Sequence, residues 1–338
     1  MEPHGRSRPK LAELHFHLGQ SVEPAILWSI AHAQGIKLPT KDYWDFHDMI
    51  TLNKKHVTWE DYHKLFTWTE LIQSSPLAME RSVYETVSGA YRVNNITLME
   101  PGFCPMFRNR KGEQDLDQII LAALTGMEKA LVEFPQVRAG IIFMLDRRLP
   151  FEKNKIIVQK AMKYSRRGVV GIDIAGPHKE GFHYRDYAKL FREAQESGIH
   201  TTVHAGEDGT TEEMEHIVEC LPVERINHGI KAVGSKRLMK KLRDKNLTLC
   251  LCPSSNLKVG FVKDVDHLKS IVQTLWKEGV KFCFNTDNPS MLKTNLRNEI
   301  DIVRRAGILD EKQIEQTVKW AFEASFINLP HHHENIYL

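Results

Sequence analysis

The sequence predicts a closed (β/α)8 barrel with a helical insertion between its first two strands. Three observations predict it. Eight short apolar, β-branched runs punctuate the chain, longer amphipathic segments separate most of them, and histidines and acids collect where the runs end. Strands alternating with helices build a parallel sheet, and eight such units suit a closed barrel better than an open sheet.

In chain order the strand candidates are residues 11–18, 96–100, 139–145, 169–175, 200–204, 225–228, 247–252 and 281–286. The helical candidates between them are 116–134, 152–165, 184–197, 211–220, 235–245 and 265–277. Gly198 and Gly279 stand just past two of these segments and read as helix stops. Residues 23–95 read as several helices inserted between strands one and two, where they can cover one mouth of the barrel. No repeat, low-complexity segment or Pro/Gly/Ser-rich linker divides the chain, so residues 1–338 are expected to form one domain.

Composition narrows the function. The hydrophobic fraction of 42% and charged fraction of 26% exclude a disordered chain. Lys plus Arg number 46 against 43 Asp plus Glu, a net charge of +3, so no nucleic-acid partner is expected. No apolar run is long enough to cross a bilayer, and no membrane association is expected. The opening MEPHGRSRPK has no apolar stretch behind its basic residues, so a secretory leader is not expected. Five cysteines, an odd number spread along the chain, do not suggest a disulfide framework, and a cytoplasmic location is expected. The run His331–His332–His333 reads as an exposed tail outside the active site.

The polar residues at the strand ends carry the chemistry. His15 and His17 end strand one, His204 ends strand five with Glu207 three residues later, His228 ends strand six, and Asp287 follows strand eight. A barrel gathers these C-terminal ends around one axis, on the face where such enzymes place their active sites. Residues i and i+2 of a strand point the same way, so His15 and His17 can share one metal. With His204 and Asp287 the set offers three nitrogens and one carboxylate oxygen, which suits zinc best and also accommodates iron, cobalt or nickel. Glu207 then stands where it can carry a proton, and His228 where it can hold a water or take its proton. Singly, each residue has a plain structural role open to it. His204 alone suits a barrel interior, Asp287 ahead of Asn288 and Pro289 suits a turn, and Glu207 before Asp208-Gly209-Thr210 suits a solvated loop.

Four segments, AELHFHL (12–18), HAGE (204–207), INHG (226–229) and NTDNP (285–289), together resemble the adenosine/AMP deaminase family, in its order and at its approximate spacing. The resemblance implies a metal-dependent amidohydrolase barrel holding one zinc ion per chain. It implies His15, His17, His204 and Asp287 as metal ligands, Glu207 as the acid that protonates purine N1, and His228 as the residue that orients or deprotonates the attacking water. GIDIAG (171–176) resembles the family's fourth-strand segment and makes Gly176 a candidate backbone donor to purine N3, in competition with a simple strand-ending turn. Strand four ends without the lysine that bridges two metals in binuclear relatives, which favours one ion. The H-x-E and P-C-x-x-C signature of the nucleic-acid and cytidine deaminases is absent. Cys250 and Cys252 read as packing residues.

Three departures from the family pattern bear on the substrate. The Leu-Asp-Gly or Leu-Asn-Gly that usually follows the second histidine is Leu18-Gly19-Gln20-Ser21 here, so Gly19 lacks the carboxylate that helps hold a 5′-hydroxyl, a role left open to Gln20 or Ser21. The family's Thr-Asp-Asp-Pro is Thr286-Asp287-Asn288-Pro289, where the Asn288 amide can still donate to purine N7. The usual Glu-x-Arg reads Glu100-Pro101-Gly102, which removes a positive charge and leaves Phe103, Cys104 and Met106 as an apolar edge. Within the insertion, Trp59, Tyr62, His63 and Phe66 fall on one helical face and resemble the family's lid helix, so Trp59, Tyr62 and His63 are pocket candidates.

The expected activity is hydrolytic deamination of adenosine or a related 6-aminopurine nucleoside or nucleotide, a purine-salvage reaction on a small-molecule substrate. Two other readings stay open: a deaminase of another amino-heterocycle, such as a pterin or an N6-substituted adenine, and a non-catalytic ligand-binding relative.

Overall fold

The computed structural model describes residues 8–53, 59–108 and 115–327. Eight parallel strands follow one another around a nearly closed barrel: β1 (Leu11–His17), β2 (Ile96–Phe103), β3 (Ile141–Asp146), β4 (Val169–Ala175), β5 (His200–Ala205), β6 (Arg225–His228), β7 (Thr248–Leu251) and β8 (Lys281–Phe284). A two-residue strand, Arg138–Ala139, pairs with β2 ahead of β3. β2 and β3 are buried along their whole length, as strands are when helices cover one face and the barrel interior fills the other.

The ring closes between β1 and β8 by an irregular seam. Phe16 and Asp287 form one isolated bridge. The His17 amide donates to the Asp287 carbonyl at 2.7 Å, and the Asp287 amide to the His15 carbonyl at 3.2 Å. Just before it, the Asn285 side-chain oxygen accepts from the amides of Leu14 and His15 at 2.8 and 3.1 Å. A side-chain amide thus takes the place of a ladder carbonyl, so the donors of β1 are not left unpaired.

Five helices stand between β1 and β2: α1 (Pro24–Ala33), α2 (Tyr43–Ile50), α3 (Trp59–Lys64), α4 (Phe66–Ile72) and α5 (Pro76–Asn94). Asp42 caps α2, and Ser75 with Pro76 starts α5. Val22, Leu27, Ile30, Phe46, Ile50 and Ile72 give this region a small core of its own. The helix α6 (Leu116–Glu133) lies along α5, and Gly126 makes the close approach possible: a Cβ there would overlap the Glu80 carbonyl. Then come α7 (Phe151–Tyr164), α8 (Ala188–Glu196), α9 (Thr211–Cys220), α10 (Lys236–Asp244), α11 (Pro253–Val259), α12 (Val265–Lys277), α13 (Leu296–Arg305) and α14 (Glu311–Glu323). No helix among the described residues is long and apolar enough to cross a membrane. The run His331–His333 lies outside the described residues.

Every strand and inter-strand helix read from the sequence is present within a few residues. The sequence reading does not separate α11, α13 and α14. α11 is seven residues long, too short for a periodic signal, yet it carries two residues of the site.

Candidate active site

The four residues expected to hold a metal converge at the C-terminal mouth. His15 Nε2 lies 3.0 Å from His204 Nε2, which lies 3.3 Å from His17 Nε2. Asp287 Oδ1 is 3.0 Å from His17 Nε2 and 3.6 Å from His15 Nε2. One donor atom from each residue falls within 4.8 Å of the others. The alternation of β1 aims both its imidazoles inward, and β5 and the turn after β8 supply the rest.

Surrounding groups fix the orientation of these side chains. Asp173 Oδ2 sits 2.8 Å from His204 Nδ1, so that nitrogen carries the hydrogen and Nε2 offers its lone pair. Ser255 Oγ donates to Asp287 Oδ2 at 2.6 Å, and Cys252 Sγ is 3.5 Å from His15 Nδ1. Asp287 and His228 both hold φ near +64°, a backbone conformation that costs on the order of 1–2 kcal/mol in a non-glycine residue. Lone pairs facing one another at such distances repel unless a proton or cation lies among them. Three imidazole nitrogens and a buried carboxylate therefore fit a divalent transition ion.

Glu207 and His228 stand beside this cluster, with Glu207 Oε2 3.3 Å from His228 Nε2. Burial, reinforced by the charge of Asp287, pushes the Glu207 carboxyl well above the usual carboxylate range. Burial works to raise Asp287 too, but the His17 ring bonded to it outweighs burial and holds Asp287 below its ordinary value. The two carboxyl groups are thus driven apart, one kept as an acid and one as an anion. Burial lowers His228 to about 3, so its ring is neutral, and Asn256 Nδ2 lies 3.3 Å from His228 Nδ1.

A cavity of about 520 Å³ opens over these residues, lined by Gly19, Gly176 and Asn288 and, from the insertion, by Tyr62, His63 and Phe66. Gly176 has φ near +85°, its carbonyl accepts from Arg147, and a Cβ there would overlap the Asp146 carboxylate. Asn288 Nδ2 donates to the Tyr62 hydroxyl at 2.7 Å, and its buried Oδ1 has no partner among the described residues. Tyr62 also reaches Asp287 Oδ2 at 3.5 Å. His63 stacks on Phe66 with centroids 5.7 Å apart. Trp59 begins α3, and its side chain lies outside the described residues.

Several residues that sequence reasoning passed over belong to this assembly. Asp173 is the single charge in an otherwise apolar strand, which is a legible signal of a buried partner. Ser255 and Asn256 ride on α11. The positive charge missing after Glu100 is present in space: Arg147, from the end of β3, is 4% exposed and donates to the carbonyls of Gly176 and His204 and to the Tyr184 hydroxyl. Of the apolar edge read from the sequence, Phe103 and Cys104 line the cavity and Met106 does not.

Comparison with known proteins places this geometry. Residues 9–336 match the family described as adenosine deaminase. An adenosine deaminase of Clostridium perfringens (strain SM101) is 28% identical over 319 residues, covering 94% of each chain. Two solved structures share the fold. An amidohydrolase from Burkholderia ambifaria with bound zinc gives a TM-score of 0.83 at 21% identity, covering 94% of this chain and 86% of its own. The N6-methyl-AMP deaminase of Arabidopsis thaliana gives 0.78 at 19% identity, covering 95% and 93%. With nearly its whole length matched, the chain belongs to the adenosine deaminase family, a metal-dependent family of hydrolytic deaminases.

Proposed function

We propose that this protein deaminates a 6-aminopurine nucleoside or nucleotide, with adenosine and its N6-substituted relatives first among the substrates. One observation carries the reading: a buried Glu207 kept protonated faces the cavity beside a cluster of three imidazoles and one carboxylate. Ring deamination needs an acid for the heterocycle and an activated water on the same side of a pocket.

His15, His17, His204 and Asp287 would hold one zinc ion. Zinc bound there supplies the Lewis acidity that makes water nucleophilic near neutral pH. Glu207 donates its proton to purine N1, which makes C6 electrophilic. His228 is neutral and its Nδ1 accepts from the Asn256 amide, so the ring hydrogen sits on Nε2, which orients the attacking water. One water proton returns to Glu207 and the other goes to the departing nitrogen, so oxygen replaces nitrogen at C6 and ammonia, or an amine where N6 is substituted, leaves as a neutral molecule. The Gly176 amide donates to N3 and the Asn288 amide to N7, while Gly19 leaves room at the 5′ end. Residues 1–338 act as one barrel unit, and the 23–95 insertion serves as its lid, with Tyr62 and His63 over the ring.

The unpartnered Oδ1 of Asn288 favours a second reading. It is an acceptor, and a ring that presents a donor there, such as a pterin, would satisfy it.

The test is a panel of adenosine, adenine, AMP, N6-methyl-AMP, 5′-substituted adenosines and pterins offered to metal-loaded protein, with ammonia or amine release measured beside metal content. About one zinc per chain and turnover of aminopurines are expected. Glu207→Gln should lower kcat by roughly 10²–10⁴-fold while keeping the metal. Turnover confined to pterins would transfer the site to the second reading. Ligand binding that survives Glu207→Gln, with no turnover of any compound, would mark a binding protein.

A further inference from the structure

Beside Gly19 the cavity wall holds a charged pair that the mechanism above does not use. Arg108 Nη2 donates to Glu70 Oε1 at 3.0 Å. The arginine side chain is 1% exposed and the glutamate side chain 25%. Arg108 Nε and Nη1 are buried and have no partner among the described residues. The guanidinium is sealed in the wall, and the carboxylate is the member of the pair that reaches open space. A buried cation needs a counter-charge at hand, so each member holds the other in place.

The pair also accounts for the glycine. A Cβ on Gly19 would lie 2.6 Å from Arg108 Nη2 and 2.8 Å from Glu70 Oε1. A side chain at position 19 and this ion pair compete for one volume. The carboxylate that Gly19 lacks is delivered to the same place from α4, by Glu70.

We propose that Glu70 is a specificity-determining residue that accepts a hydrogen bond from the 5′-hydroxyl of the substrate, with Arg108 as its positioning residue. The proposal deepens the aminopurine reading and rests on it. It names the substrate class as a nucleoside with a 5′ hydrogen-bond donor, not a 5′-phosphate. A phosphate brings only acceptor oxygens and negative charge toward an acceptor that is itself negative. The other two arginines lining the cavity are engaged: Arg147 with two carbonyls and the Tyr184 hydroxyl, Arg148 with Asp146 at 2.8 Å.

The experiment measures kcat/KM for adenosine, 5′-deoxyadenosine and AMP with metal-loaded wild type, Glu70→Gln and the double variant E70L/R108M. The double variant removes both charges and leaves no orphaned cation. Glu70→Gln keeps an oxygen for Arg108 and reports on the site if the double variant does not fold. The wild type should prefer adenosine over 5′-deoxyadenosine by about 10- to 100-fold, the discrimination expected of one charged hydrogen bond in a partly open site, and should use AMP least well. Both variants should bring the adenosine to 5′-deoxyadenosine ratio toward one and raise AMP relative to adenosine. A purely structural loss would depress all three substrates together and leave the ratios in place. A wild-type ratio near one, ratios that survive both substitutions, or a wild-type preference for AMP would overturn the assignment of Glu70 while leaving the deaminase reading intact. No turnover of any of the three, with the wider panel also inert, would overturn both.

Discussion

Asp173 Oδ2 lies 2.8 Å from Nδ1 of His204, and that one bond decides which nitrogen of His204 faces its neighbours. With Nδ1 committed to the carboxylate, Nε2 points its lone pair at His15 and His17. Asp173→Asn should keep the size and weaken this control. A fall of about 10- to 100-fold in metal affinity is expected, read by competition against a chelator while circular dichroism stays unchanged.

Asn256 holds the same office for His228. Its amide nitrogen sits 3.3 Å from His228 Nδ1, which leaves Nε2 directed at Glu207. Asn256→Leu should free the ring to change tautomer. We expect kcat to drop by about 10-fold or more with a smaller change in KM, and metal content to remain near that of the wild type.

Glu299 of α13 ties down the first turn of α11. Its Oε2 accepts from the Ser254 amide at 2.7 Å, and Oε1 accepts from Thr294 Oγ1. Burial raises its carboxyl to about 7, against an ordinary value of 4.5. The folded state therefore holds a proton that the unfolded chain releases. The stability this lends is complete below pH 4.5 and is lost as pH rises toward 7, by up to roughly 3 kcal/mol. Denaturant titrations across this interval should show the slope, and Glu299→Gln should reduce it, leaving the share of Glu13, whose carboxyl burial likewise raises to about 7.

Gly126→Ala sets two effects against each other. Alanine gains about 1 kcal/mol of helix propensity over glycine. Its methyl group, however, would enter the Glu80 carbonyl of α5, a backbone atom that can move only with its helix. Overpacking of this kind costs about 1–3 kcal/mol, so the clash should win. Thermal unfolding should show a Tm several degrees below that of the wild type.

Much of this molecule is legible in its sequence because two signals repeat. Apolar runs mark the strands, and imidazoles at their ends mark His15, His17, His204 and His228 as residues a barrel would gather. What is not legible depends on contacts between distant segments. The sequence shows that Gly19 lacks a carboxylate; it does not show that Glu70 brings one to the same place. It shows that the arginine after Glu100 is gone, while Arg147, from a different strand end, supplies charge nearby. α11 is too brief to announce itself, and the importance of Ser255 and Asn256 follows only from where β7 delivers it.

The seam between β1 and β8 bears on how the molecule is made. His15 and His17 leave the ribosome some 270 residues before Asp287 does. Until then the first strand has no neighbour on one side, because the Asn285 amide and the Phe16–Asp287 bridge do not yet exist. A nascent chain can present imidazoles but not the fourth donor, so the ligand set proposed above is complete only when the last strand arrives and the ring closes.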